Sequence, residues 1–128
     1  MTNPTVFPTS SFANSMLPTT ATTYLIHFGR NIPTPQLGHE ATSRITDEQF
    51  NKFIRDSVVP RFQSFSITDG VGYWKGERES VSIVTIISEH YFDAIDVHRI
   101  AKEYCQQFDQ EAVFINSLSS FPSLITHD

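Results

Sequence analysis

Apolar and polar positions change their period several times along the chain, and each change predicts a new element. Thr23–Ile32 alternates with a period of two, which predicts a strand with Tyr24, Ile26 and Phe28 on one face. Residues 33–43 contain two prolines and a glycine and predict a loop.

The next segment predicts a helix with a well-marked start. Thr46 and Gln49 have the spacing of a capping box, and Ile45 and Phe50 occupy the positions of a hydrophobic staple. Pro60 predicts that the helix ends near residue 59. Its buried face is expected to contain Phe50, Phe53, Ile54 and Val58.

Extended segments and turn residues alternate in the middle of the chain. Ser64–Thr68 and Val71–Lys75 predict strands that are separated by an Asp69-Gly70 turn. Gly76-Glu77 predicts a hairpin turn, and the β-branched run Ser80–Ser88 predicts the third main strand.

A second helix is predicted from about Asp93, with Phe92 and Val97 at staple positions. Glu111–Leu118 predicts a final strand. The apolar stripe of the helix consists of Val97, Ile100, Ala101, Tyr104 and Phe108.

The element order is therefore β-α-β-β-α-β. Two helices with one apolar stripe each need a common face to cover, so the sequence predicts an α+β fold of ferredoxin-like topology, a four-stranded antiparallel sheet with two helices on one face. Residues 22–118 form the predicted domain. Residues 1–21, rich in Thr, Ser and Pro, predict a flexible N-terminal tail, and residues 119–128 predict a short C-terminal tail.

The third main strand is apolar on both faces. Val81, Ile83 and Ile87 alternate with Val84 and Ile86, so the face away from the helices is also expected to be covered. This pattern favours a homodimer through the sheet face, with a tail or a ligand as the other possible cover.

Composition narrows the classes of partner. The 128 residues carry 9 Lys+Arg against 14 Asp+Glu, a net charge of −5, which disfavours binding to nucleic acid. The single Cys105 excludes an intrachain disulfide, and the five histidines lack the spacing of a helical metal site, so no metal and no cofactor are predicted. No apolar run is long enough for a membrane span and no signal peptide is recognisable, so the expected location is cytoplasmic.

Phe28-Gly29-Arg30 is the first candidate for chemistry. Arg30 follows a strand and a glycine, where a guanidinium could bind a carboxylate or phosphate with two hydrogen bonds. The structural alternative is an ordinary ion pair. In the predicted topology Arg30 is expected to face Glu79 or the Asp69–Trp74 hairpin.

The hairpin supplies further candidates, because two glycines are interleaved there with Tyr73 and Trp74. This pattern is typical of a small-molecule pocket, and equally of a β-bulge with Trp74 covering the end of the core. Arg61, after the first helix, is expected mainly to stabilise the helix C-terminus. The predicted ligand-binding residues are Arg30, Arg61, Asp69, Tyr73, Trp74 and Glu79.

His27 is the one candidate for catalysis. If its side chain lies on the face away from the helices, it could serve as a general base, whereas the structural alternative is an interface histidine. The chain has no Gly-x-Ser-x-Gly, no P-loop and no cysteine beside a plausible base.

Together these marks resemble DUF3574, a family of small bacterial proteins of uncharacterised function. The resemblance spans residues 23–117 and implies a fold and a set of site residues but no reaction. Members of that family often begin with an export or lipoprotein signal. The matching pieces are Phe28-Gly29-Arg30, Pro60-Arg61-Phe62, Asp69, Gly72, Trp74, Glu79-Ser80, Tyr104, Phe108 and Gln110–Val113.

Two functions remain open at this point. The first is a non-enzymatic binding or protein-interaction module, a dimer with a small anionic ligand or a protein partner near Arg30. The second is a small cofactor-free enzyme of the dimeric α+β barrel type, monooxygenase- or isomerase-like, with a pocket on the sheet face formed by His27, Tyr73 and Trp74. An RNA-binding sheet is a third interpretation, against which the net charge argues.

Overall fold

The computed structural model describes residues 20–33 and 42–127. The elements are β1 (Ala21–Gly29), β2 (Asn31–Pro33), β3 (Thr42–Arg44), α1 (Asp47–Phe53), a π-helical segment (Ile54–Val58), β4 (Ser66–Trp74), β5 (Glu77–Ser88), α2 (Asp93–Gln107) and β6 (Phe114–Ser120).

Four strands form one antiparallel sheet in the order β4-β5-β1-β6, and β2 pairs with β3 in a separate two-stranded sheet. This confirms the predicted α+β class with a four-stranded antiparallel sheet and two helices. The predicted tail 1–21 lies outside the described residues except for its last two, of which Ala21 already belongs to β1.

The core lies between one face of the sheet and the helices. Tyr24, Ile26 and Phe28 alternate along β1 and are buried, and β5 contributes Val84 and Ile86 in the same way. Aromatic rings dominate the helix side, as the phenylalanine-rich composition suggests. Phe28 packs against three of them, Phe50, Phe53 and Tyr104, with ring centroids 4.5 to 5.8 Å apart.

The start of α1 is formed by the predicted capping box. Thr46 Oγ1 accepts a hydrogen bond from the backbone N–H of Gln49 at 3.1 Å, and the Gln49 side chain accepts from the N–H of Thr46 at 2.9 Å. Ile45 and Phe50 are both buried, as the staple requires.

The end of this helix differs from a regular α-helix. Val59 N–H donates to the carbonyl of Ile54 at 3.0 Å, five residues back, so the last turn widens into a π-helix. Pro60 follows directly. Because a proline ring collides with the carbonyl four residues before it and has no N–H to donate, the wider turn accommodates the ring.

The sequence prediction was wrong in the middle of the chain. Asp69-Gly70 makes no turn, because β4 runs unbroken from Ser66 to Trp74 as an edge strand. The hairpin turn lies at Lys75-Gly76, where both residues have a positive φ, and β5 begins earlier than expected, at Glu77. Paired strands outweigh the local turn preference of Asp-Gly here.

The second helix has the predicted stripe, since Val97, Ile100 and Tyr104 are fully buried. Its staple is absent, because Phe92 is 72% exposed and packs edge-on against Tyr91 instead of Val97. The final strand begins later than predicted, at Phe114, and extends to Ser120. In the described part of the chain, no helix has the length and apolarity needed to cross a bilayer.

Candidate functional site

Arg30 lies at the end of β1 and is buried, with only 4% of its surface exposed. Its Nε and Nη2 atoms both donate to the carbonyl of Ile45, at 3.2 and 3.0 Å. Nη2 also donates to Asp47 Oδ1 at 2.8 Å. Arg30 therefore ties the end of β1 to the residues that begin α1.

A second set of contacts links the same guanidinium to the sheet. Nη1 donates to Ser82 Oγ at 3.0 Å, and that hydroxyl donates in turn to Asp69 Oδ1 at 2.7 Å. The Phe50 ring packs against the guanidinium, with 4.7 Å from Cζ to its centroid. The result is a hydrogen-bonded chain that runs through the interior from Asp69 at the edge strand to Asp47 on α1.

Four of the five N–H donors of a guanidinium are engaged by protein groups in this arrangement. A ligand carboxylate or phosphate would have to displace Asp47, whose own side chain is 88% exposed. The predicted anionic ligand at Arg30 stays a prediction, and the geometry favours a role for Arg30 in organising the fold.

Glu79 lies on the opposite face of the sheet from Arg30. The register pairs Gly29 with Val81, which places Glu79 beside the backbone of Gly29 on the face away from the helices. A Cβ at position 29 would lie 2.7 Å from Glu79 Oε1, so a side chain there would require the Glu79 carboxylate to move. Burial raises the pKa of Glu79 above its ordinary value, and a hydrogen bond from the Asn31 backbone partly opposes this rise.

Two side chains hold the backbone on either side of Arg30. Tyr104 Oη donates to the carbonyl of Gly29 at 2.6 Å, and Gln110 Nε2 donates to the carbonyl of Asn31 at 2.7 Å. Burial raises the pKa of the Tyr104 hydroxyl, so it remains a donor. These contacts fix the backbone immediately before and after Arg30, whose own N–H donates to the carbonyl of Ser80 at 3.0 Å.

The aromatic pair of the hairpin does not form a wall beside Arg30. Trp74 Nε1 donates to Glu111 Oε1 at 3.0 Å, and Lys75 Nζ binds the other oxygen of that carboxylate at 2.7 Å. Hydrogen bonds from Lys75 and then Trp74 lower the pKa of Glu111. Tyr73 is 70% exposed. The tip of the hairpin is thereby fastened to the segment before β6.

Arg61 lies apart from all of these residues. Its two Nη atoms donate to the two carboxylate oxygens of Glu103 at 3.0 and 2.9 Å, and Nη1 also donates to the carbonyl of Ser57 at 3.1 Å. The hydrogen bond to Arg61 lowers the pKa of Glu103. Arg61 therefore joins the end of the first helix to α2.

His27 lies on the sheet face away from the helices, which is the position that a role as general base would require. It pairs with Ile83 on β5 and with Phe114 on β6, and the two rings of His27 and Phe114 meet edge-to-face at 5.4 Å. Glu79 belongs to the same face, beyond Gly29.

The predicted site residues therefore do not converge on one cavity. A depression on the outer surface of α2 and a larger cleft at the start of β1 are both lined by other residues. Residues 20–33 and 42–127 contain no cluster of three His, Cys, Asp or Glu side chains suited to a metal ion.

Sequence reasoning missed the partners that complete these contacts: Asp47, Ser82, Glu103, Gln110 and Glu111. Ser82 carried a usable signal, because a serine within a β-branched strand is a polar interruption on the core-facing side. Asp47 and Glu103 carried none, since nothing local distinguishes them from other surface acids, whereas Gln110 and Glu111 lie in a segment that carries the family resemblance.

Comparison with known proteins supports the family and little beyond it. No curated protein matches the chain. A phage SAM lyase solved in complex with S-methyl-5'-thioadenosine has a similar chain trace, with 19% identity and a TM-score of 0.49 over 84% of this chain and 95% of that one. The sequence profile of the family described as "Protein of unknown function (DUF3574)" matches residues 24–121, and the chain therefore belongs to the DUF3574 family.

Proposed function

We propose that this domain is a non-enzymatic protein-interaction module of ferredoxin-like topology that forms a homodimer through the face of its sheet away from the helices. The strand order β4-β5-β1-β6 supports that topology, because the first and third of the four main strands along the chain are central and adjacent. Arg30 has a structural role in this proposal.

The single observation that carries the proposal is the composition of that face, which we call the open face. Its centre is made of three rows across β5, β1 and β6, namely Ile87–Thr23–Leu118, Thr85–Leu25–Asn116 and Ile83–His27–Phe114, and Glu79 lies beyond them at one end of the same face. None of these nine side chains is a carboxylate, a lysine or an arginine. The centre of a protein–protein interface typically contains few charged side chains and many aromatic and aliphatic ones.

Exposure of the same face supports a missing partner. Phe114 is 63% exposed, Ile87 47% and Leu118 44%, although all three are large and apolar. A second copy of the chain fits, because two such faces related by a two-fold axis present equivalent uncharged rows to each other. Sheets packed face to face would bury about 800 Å² per partner if the interface is of standard size.

The test is the oligomeric state of the full chain and of charge variants. By light scattering after gel filtration, the wild-type protein is expected to be a dimer, and Leu118→Glu or Ile87→Glu is expected to convert it to a folded monomer. Each variant would bury two unpaired carboxylates in the dimer, which costs several kcal/mol.

Val71→Glu is the matched control, because Val71 is an exposed apolar residue of β4 that the register places on the other face. It should remain a dimer. A wild-type protein that is monomeric at micromolar concentration, or an equal loss of the dimer in all three variants, would contradict the proposal.

One observation favours the second function, a cofactor-free enzyme of the dimeric α+β barrel type. Glu79, with its raised pKa, and His27 both belong to the open face, so two facing sheets would enclose acid–base groups. Retention of a small molecule in native mass spectrometry by the wild-type dimer, with its loss in Glu79→Gln, would favour this reading. A ligand-free dimer in both proteins would favour the interaction module.

A further inference from the structure

A cleft of about 680 Å³ lies at the start of β1, far along that strand from Arg30. It is bounded by the first turn of α2 on one side and by β1 and β6 on the other. Its sheet wall carries the hydroxyl groups of Tyr24, Ser117 and Ser119, which share the helix-facing side of the sheet. The cleft is thus separate from the open face.

An unsatisfied carboxylate oxygen belongs to a residue that lines this cleft. Glu89 Oε1 is shielded from solvent, and within the described part of the chain it has no hydrogen-bond partner. Burial of a carboxylate oxygen without a donor is unfavourable, so a donor that enters the cleft would be stabilised.

The charges around the cleft select for a cation. Its lining contains neither lysine nor arginine. Burial and, after it, the negative charge of Asp93 raise the pKa of the Tyr24 hydroxyl, so a second carboxylate lies near this lining residue although it does not line the cleft itself. Asp93 also accepts a hydrogen bond from Ser88 Oγ at 2.6 Å and offsets the positive end of the α2 dipole.

Two aromatic rings stand at the mouth of the cleft. Tyr91 and Phe92 are 88% and 72% exposed and pack edge to face with centroids 5.3 Å apart. Exposed rings beside a carboxylate are the groups that bind an organic cation, because the ring faces attract its charge and its apolar part covers them.

We propose that this cleft binds a small primary ammonium compound with an apolar or aromatic body, with Glu89 accepting from the ammonium group and Tyr91 and Phe92 packing on the body. The site is distinct from the proposed dimer surface, because its lining includes none of the nine residues at the centre of the open face.

The experiment is an NMR titration of the ¹⁵N-labelled full chain at pH 8 with tyramine, its neutral alcohol analogue 4-hydroxyphenethyl alcohol, and the anionic analogue 4-hydroxyphenylacetate. Tyramine is expected to shift the amide signals of residues 88–92 and 117–119 saturably, with a Kd of about 1 mM for a ligand of this size. The neutral and anionic analogues are expected to bind at least about tenfold more weakly.

Glu89→Gln is the main variant and should weaken tyramine binding by at least about tenfold while leaving the neutral analogue unaffected. Glu77→Gln, at the exposed start of β5, is the matched control and should bind like the wild type. The proposal is overturned if tyramine gives no saturable shifts at these amides, if all three compounds bind equally, or if both variants lose binding alike. An unfolded Glu89→Gln protein would leave the comparison of the three compounds on the wild type to decide.

Discussion

At the scale of single residues, the most unusual group is the carboxylate of Glu79, which is half-buried and lies against the backbone of Gly29. Its pKa is raised above the ordinary 4.5, so the folded state binds its proton more tightly than the unfolded chain. The folded protein therefore loses stability as the pH rises from 4.5 through the raised pKa of Glu79. Below the pKa of this group in the unfolded chain, the loss is absent.

We therefore expect Glu79→Gln to raise the melting temperature at pH 7, because the amide keeps the hydrogen bond from Asn31 and removes a half-buried charge. The gain should disappear as the pH is lowered below 4.5. Calorimetry from pH 3 to pH 8 measures it, with Glu77→Gln as the control. A gain that is independent of pH would show that charge is not its cause.

Among the candidate site residues, Arg30 is the one whose loss should lower the stability most. Arg30→Met removes both donors from the buried Ile45 carbonyl, and an orphaned acceptor of this kind costs about 1–3 kcal/mol. Arg30→Lys should recover little, because an ammonium lacks the planar fork that reaches the Ile45 carbonyl, Ser82 and Asp47 together. Urea unfolding measures the change.

The control for that experiment is Arg44→Met, since Arg44 donates to Ser80 Oγ at an exposed position and should lose less than about 1 kcal/mol. An Arg30→Met protein as stable as this control would contradict the structural role and restore Arg30 as a residue available to a ligand.

At the scale of elements, the pair between Arg61 and Glu103 is the clearest contact between the two helical segments. Both carboxylate oxygens are bonded, yet Glu103 is 40% exposed, so a double-mutant cycle should give a coupling of about 0.2–1 kcal/mol at pH 7. Since the pKa of Glu103 is lowered in the folded state, this coupling is present above the ordinary 4.5 and lost as the pH falls.

The cycle uses Arg61→Met and Glu103→Gln, and the exposed pair Lys52–Asp56, four residues apart on one helix, serves for comparison. That pair should give about 0.2–0.5 kcal/mol. A coupling that is undiminished at pH 3 compared with pH 7 would mean that the contact between Arg61 and Glu103 is not ionic.

What could be predicted at this scale was local. The capping box of Thr46 and the stripe of α2 are set by spacings of three and four residues, and both were recovered. β4 was misjudged because Asp69-Gly70 favours a turn in isolation, whereas in the sheet Asp69 lies opposite Ser82 and receives its hydroxyl hydrogen.

Only part of the candidate site could be predicted, because the local sequence pattern does not determine the strand register. The position of Arg30 at a strand end follows from the sequence, but its neighbours depend on register. Period-two alternation places Arg30 on the core side of the sheet with Ser82, and it places Glu79 on the opposite side. Of the two partners expected for Arg30, only Asp69 is connected to it, through the Ser82 hydroxyl. Those long-range pairings have no local signal.

At the scale of the whole molecule, the proposed dimer makes stability depend on concentration. If folding and association are coupled through the open face, the melting temperature of the wild-type protein should rise with protein concentration, whereas that of Leu118→Glu should stay constant. Calorimetry over a hundredfold dilution series tests this, with Val71→Glu expected to behave like the wild type. A concentration-independent wild-type melting temperature would contradict the coupling.

The edge strand β4 affects how the proposed dimers would associate with one another at high protein concentration. A face-to-face dimer is closed, but among residues 20–33 and 42–127 no strand pairs with the outer backbone of β4, and Ile67, Val71 and Tyr73 are exposed along it. Two such edges per dimer allow growth by strand addition in two directions, which gives ribbons of unlimited length. Handling at high concentration should therefore favour filaments over amorphous precipitate, and a proline in place of Val71 should suppress them.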